Sequence, residues 1–81
     1  MADPVMDIML TALIALEQGT VLTRTSAAMA NRLSIASAET LIDDLVSARL
    51  LQKGARRDHI SLTPLGSELM REFVRRETLL R

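Results

Sequence analysis

Apolar positions along the 81-residue chain follow a helical spacing, switch to alternation near residue 51, and return to a helical spacing near residue 64. In the first stretch Val5, Met6, Ile8, Met9, Leu10, Leu13, Ile14 and Leu16 cover more than one stripe of a helix. Asp3 before Pro4 predicts its cap and first turn, and Gly19 predicts its stop after Gln18. A second apolar face on so small a unit points to contact with another subunit, the alternative being burial of both faces inside the monomer. Val21 and Leu22 are read as a short strand, and the cluster at residues 23–26 offers caps for a second helix over residues 26–33. That helix turns Ala27, Ala30 and Leu33 or Met29 inward. After a turn at Ser34 and Ile35, a third helix from Ala36 or Ser37 to Leu50 places Ala38, Leu41, Ile42 and Leu45 on its apolar face. Ser37, Glu39, Thr40, Asp43, Asp44 and Ser47 fall on the opposite face.

The alternating stretch predicts a β-hairpin, with Leu51, Ile60 and Leu62 facing a core and Lys53, Arg56, Arg57 and His59 projecting from the turn and outer face. Thr63 then reads as an N-cap and Pro64 as the first position of a last helix over residues 64–80. Leu65, Leu69, Phe73 and Leu80 lie near one stripe of it, flanked by Met70 and Val74. Its charged residues Glu68, Arg71, Glu72, Arg75 and Arg76 are spaced for local pairs worth about a few tenths of a kcal/mol each.

Length implies one small domain over residues 1–81, so its core supplies modest stability and a partner chain is expected. With Phe73 as the only aromatic residue, the core must be aliphatic, and Met6, Met9, Met29 and Met70 fill gaps in core or interface. The absence of cysteine excludes disulfides and thiol chemistry and suits a reducing compartment. The most apolar run, residues 8–16, falls short of the roughly 20 residues a membrane span needs, and acidic Asp3 and Asp7 do not suit a signal peptide. Ten basic and ten acidic residues cancel, yet they are unevenly placed. Arg49, Lys53, Arg56 and Arg57 outweigh Asp58 around the hairpin, whereas Glu39, Asp43 and Asp44 make the helix before it acidic. No motif supports catalysis: His59 stands alone, there is no glycine-rich phosphate loop, and adjacent Asp43 and Asp44 diverge by about 100° on a helix. Neither an enzyme nor a cofactor or metal site is expected.

The order helix, strand, helix, helix, hairpin, helix resembles the winged helix-turn-helix domain of MarR-type and related small bacterial transcriptional regulators. The resemblance is carried by residues 37–51, by the basic turn Arg56-Arg57-Asp58, and by Ser61-Leu62-Thr63-Pro64-Leu65-Gly66-Ser67-Glu68-Leu69. It implies a mainly α fold with a small β-hairpin and a cytoplasmic homodimer on double-stranded DNA. The third helix would enter the major groove, the wing would lie on the backbone or in the minor groove, and the terminal helices would join the subunits. Candidate DNA contacts are then Ser37, Thr40, Arg56 and Arg57, with Arg24, Arg32, Lys53 and His59. Candidate dimer residues are Val5, Met9, Leu13 and Leu16 from the first helix and Leu69, Phe73 and Leu80 from the last.

Three features depart from the family pattern, one being a turn between the second and third helices that is shorter, from Ala30 to Ala38, than the family's usual spacing. Arg49 stands where the family carries glycine, so either it adopts a left-handed turn at a cost of about 1 kcal/mol, or the helix continues and Gly54 makes the turn. The third helix also lacks the Arg, Lys, Asn or Gln that commonly read base edges. Its carboxylates suit the helix N-terminal half, where they favour the macrodipole, or a protein-interaction role in which the acidic face or the apolar terminal helices dock a partner.

Overall fold

The computed structural model describes residues 3–79, arranged as α1 (Pro4–Gln18), β1 (Leu22–Thr23), α2 (Arg24–Ala30), α3 (Ile35–Ser47), β2 (Leu51–Lys53), β3 (His59–Leu62) and α4 (Pro64–Leu79). The caps expected for α1 are in place. The Asp3 carboxylate accepts from the N–H groups of Val5 and Met6 at 3.0 and 3.3 Å, and Gly19 ends the helix at φ 68°.

Helix α2 starts earlier than the expected residues 26–33, because Thr23 is the member of the polar cluster that caps it. Thr23 Oγ1 accepts from Ser26 N–H while Ser26 Oγ accepts from Thr23 N–H, a reciprocal capping box. The helix ends at Ala30, since Arg32 takes a left-handed φ of 55°. Its buried residues are Ala27 and Ala28 and Leu33 packs against the core, so of the expected inward positions Ala27 and Leu33 hold, whereas Ala30 and Met29 turn outward. Helix α3 begins at Ile35 on a Ser34 cap and stops at Ser47 rather than Leu50, because Arg49 holds φ 63°. Of the two alternatives for that turn, the left-handed arginine is the one realised.

The hairpin forms as expected, with Leu51 opposite Leu62 and Lys53 opposite Ile60. Strand β3 also pairs with β1, Leu22 opposite Ile60, giving a three-stranded antiparallel sheet in the order β1-β3-β2. The expected strand at Val21 and Leu22 is thus shifted by one residue, and Val21 is exposed. Leu22, Leu51, Ile60 and Leu62 join Ile8, Met9, Ala12, Leu13, Ala27, Ala28, Ala38, Ile42, Leu45 and Met70 in one continuous core.

Helix α4 is rotated from its expected stripe. Gly66, Ser67 and Met70 face inward with Phe73 half-buried, whereas Leu65 and Leu69 are exposed. The cause is a close approach at Gly66, where a Cβ would fall 2.1 Å from the carbonyl oxygen of Leu50. Only glycine fits there, and that contact fixes which face of α4 meets the core. Thr63 reinforces the junction: its hydroxyl donates to Arg49 O at 2.6 Å and accepts from Gly66 N–H at 2.9 Å. Among the expected charge pairs, Glu72 takes Arg75 and Arg76, while Arg71 reaches instead to Glu17 of α1 at 3.8 Å. No helix among the described residues is long and apolar enough to cross a membrane.

Candidate nucleic-acid interface

Helices α2 and α3 and the β2–β3 hairpin form one continuous surface. The turn between the helices is closed by Leu33 N–H donating to Ala28 O at 2.9 Å, and Asn31 Nδ2 ties it to α1 through Thr11 Oγ1 at 3.1 Å. Helix α3 buries Ala38, Ile42 and Leu45. At about 100° per residue, the positions pointing directly away from that stripe are Ala36, Thr40 and Ser47. Glu39 and Asp43 occupy the flank toward the hairpin, and Ser37 and Asp44 occupy the other. The outermost face is therefore small and hydroxyl-bearing, with carboxylates along both sides.

Ser37 and Thr40, singled out from the sequence, are both exposed. The Thr40 hydroxyl donates to Ala36 O at 3.1 Å, which leaves its lone pairs outward, and Ser34 Oγ lies 2.9 Å from Ser37 Oγ. The hairpin tip is held by Gly54 N–H donating to His59 O at 2.8 Å and by His59 N–H donating to Arg56 O at 3.0 Å. A Cβ on Gly54 would lie 2.7 Å from the Cβ of His59, so the tip needs glycine for space. This geometry leaves Lys53, Arg56 and Arg57 exposed, and they enter no ion pair among the described residues. His59 is half-buried, its Nε2 lying 3.9 Å from Asp58 Oδ1.

The tip and α3 line the same groove, with Lys53, Arg56 and Arg57 on one side and Glu39 and Asp43 on the other. Arg24 lines it as well, but differently from the expectation of a free cation: its Nη1 donates to Asp43 Oδ1 at 2.8 Å. Arg32 sits in the turn after α2, exposed and outside that groove. Asp43 as the partner of Arg24 was invisible in the sequence, because nothing local links two residues nineteen positions apart. The i, i+4 stripe of Glu39 and Asp43 could have been read from helical spacing alone.

No protein-family model and no curated protein matches the sequence. Solved structures do. MepR, a transcription regulator of the Staphylococcus aureus multidrug efflux pump MepA, superposes with a TM-score of 0.79 at 20% identity over 99% of this chain and 64% of its own. S. aureus MepR bound to ethidium bromide gives 0.80 at 18% identity, over 99% of this chain and 63% of its own. IdeR of T. acidophilum gives 0.75 at 20% identity, over 93% of this chain and 34% of its own. The fold is a winged helix. The likeness read from the sequence therefore holds at the level of the fold, with α2 and α3 as the helix-turn-helix and the β2–β3 hairpin as the wing. The chain spans less than two thirds of the MepR chains it matches.

The residues considered for a dimer divide into two sets. Met9 and Leu13 are 2% and 7% exposed within the single chain, so the chain's own core claims them and they offer a second subunit almost nothing. This removes them from the expected interface, because the face of α1 that carries them packs on the sheet and helices of the same chain. Val5, Leu16 and Leu69 are exposed, and Phe73 is half-buried against the core. Leu80 lies outside the described residues. A groove between α1 and α4 is lined by Leu10, Ile14 and Val74 among others.

Proposed function

We propose that the chain is a DNA-binding module of a cytoplasmic transcription regulator, not an enzyme, acting as a single winged-helix domain in a homodimer. Helix α3 enters the major groove of duplex DNA, and the wing lies along the phosphate backbone. The observation that carries this reading is the placement of Lys53, Arg56 and Arg57: exposed, unpaired among the described residues, and beside the outer face of α3. Ser37 and Thr40 meet phosphates or base edges, Arg32 reaches backbone from the helix-turn-helix turn, and His59 supports the wing strand. The fold shared with transcription regulators supports the same assignment. Exposed Val5, Leu16, Leu69, Val74 and Leu79 on α1 and α4 support pairing of two subunits through the terminal helices.

Titration of labelled duplex DNA at several salt concentrations tests the reading. Affinity is expected to fall steeply with salt, and replacing Arg56 and Arg57 by Ala should reduce the log–log slope by about 2, one per lost phosphate contact. Undetectable binding at low salt would reject it. A protein-interaction role has one observation in its favour: Glu39 and Asp44 are exposed on α3 and enter no ion pair among the described residues. Under that role, Glu39→Lys with Asp44→Lys abolishes capture of a basic partner. Under the DNA role the same change tightens duplex binding.

A further inference from the structure

Arg24 stands where three elements meet. It opens α2, its backbone N–H donates to Asp58 O in the wing tip at 2.9 Å, and its guanidinium holds Asp43 of α3 at 2.8 Å. The side chain is 14% exposed, whereas that of Asp43 is 65% exposed. To meet a phosphate, this arginine would have to break the pair and swing out of its enclosure. Doing so would bare a carboxylate on the flank of α3 toward the hairpin, beside the outer face that the DNA reading puts in the duplex. Glu39 and Asp44 already add negative charge to the flanks of that face, so a third uncompensated carboxylate would oppose the phosphates most strongly.

We propose that Arg24 touches no phosphate and serves as a positioning residue that masks the charge of Asp43, so that an acidic α3 can enter DNA. The proposal rests on the DNA-binding reading above and assigns Arg24 a role opposite to the contact expected from sequence. Asp43 is largely exposed, so removing the pair is expected to leave the domain folded, with the effect appearing in binding.

The test compares the wild type with Arg24→Ala, Asp43→Ala and the double variant, each titrated against one mixed-sequence duplex at low salt, with circular dichroism to verify folding. Arg24→Ala is expected to weaken binding about tenfold by uncovering Asp43. Asp43→Ala should bind at least as tightly as the wild type. The double variant should return to within about twofold of it, a rescue that the loss of a phosphate contact cannot give. Should Arg24→Ala unfold, Arg24→Gln replaces it in both backgrounds with the same expected pattern. A loss that persists in the Asp43→Ala background would overturn the proposal while leaving the DNA reading intact. Absence of duplex binding by the wild type would overturn both.

Discussion

Arg32 and Arg49 hold left-handed backbone at φ 55° and 63°, a region where an L side chain costs about 1–2 kcal/mol relative to its preferred wells. Both positions end a helix, and both turn the chain sharply enough to seat the next element on the core. Arg49→Gly should relieve that strain and raise stability by about 0.5–1 kcal/mol, the gain being trimmed by the extra freedom of glycine in the unfolded chain. Thermal unfolding would register an increase of about 4–8 °C per kcal/mol in a domain of this size. A fall in stability instead would show that the stem of Arg49 packs more favourably than its backbone is strained. Gly66 carries the opposite sign. A methyl group placed 2.1 Å from Leu50 O has no room, and the atom it meets is backbone rather than a movable side chain. Gly66→Ala should destabilise by about 3 kcal/mol or more, seen as a large drop in the urea midpoint.

At the scale of elements, Thr63 joins the end of α3 to the start of α4 by donating to Arg49 O and accepting from Gly66 N–H. Thr63→Val keeps the shape and removes both bonds, at an expected cost of about 1–2 kcal/mol in denaturant unfolding; an unchanged midpoint would show the clasp to be energetically idle. Much of this organisation was legible in the sequence because it is local. Asp3-Pro4 and Gly19 bound α1, alternation placed Leu51, Ile60 and Leu62 inside, and Thr63-Pro64 started α4. What escaped depends on residues far apart in the chain. The rotation of α4 follows from Gly66 meeting Leu50, and the early start of α2 follows from which residue in a polar cluster wins the cap. Helical spacing alone could not tell Leu69 from Met70 as the inward residue, since the two differ by one step of about 100°.

For the whole molecule, a net charge of zero conceals an arrangement in which a basic wing tip and the acidic helix α3 share one groove. The exposed cations Lys53, Arg56 and Arg57 that line this groove were legible in the charge order along the chain. The pairing of Arg24 with Asp43 could not, because it arises only when α2 packs beside α3. The exposed apolar face of α1 and α4 carries a separate expectation. Leu69→Glu with Val74→Glu changes residues that are 51% and 38% exposed, so the monomer fold should survive while the proposed dimer dissociates in sedimentation equilibrium. A wild-type chain that is monomeric at micromolar concentration would remove the dimer from the account. The central claim, that α3 and the wing together engage duplex DNA, is tested most directly by titrating duplex into isotopically labelled protein and following every backbone amide by NMR. Perturbations should concentrate at residues 34–40 and 54–58 and reverse on adding salt; shifts confined to α1 and α4, or none at all, would contradict it.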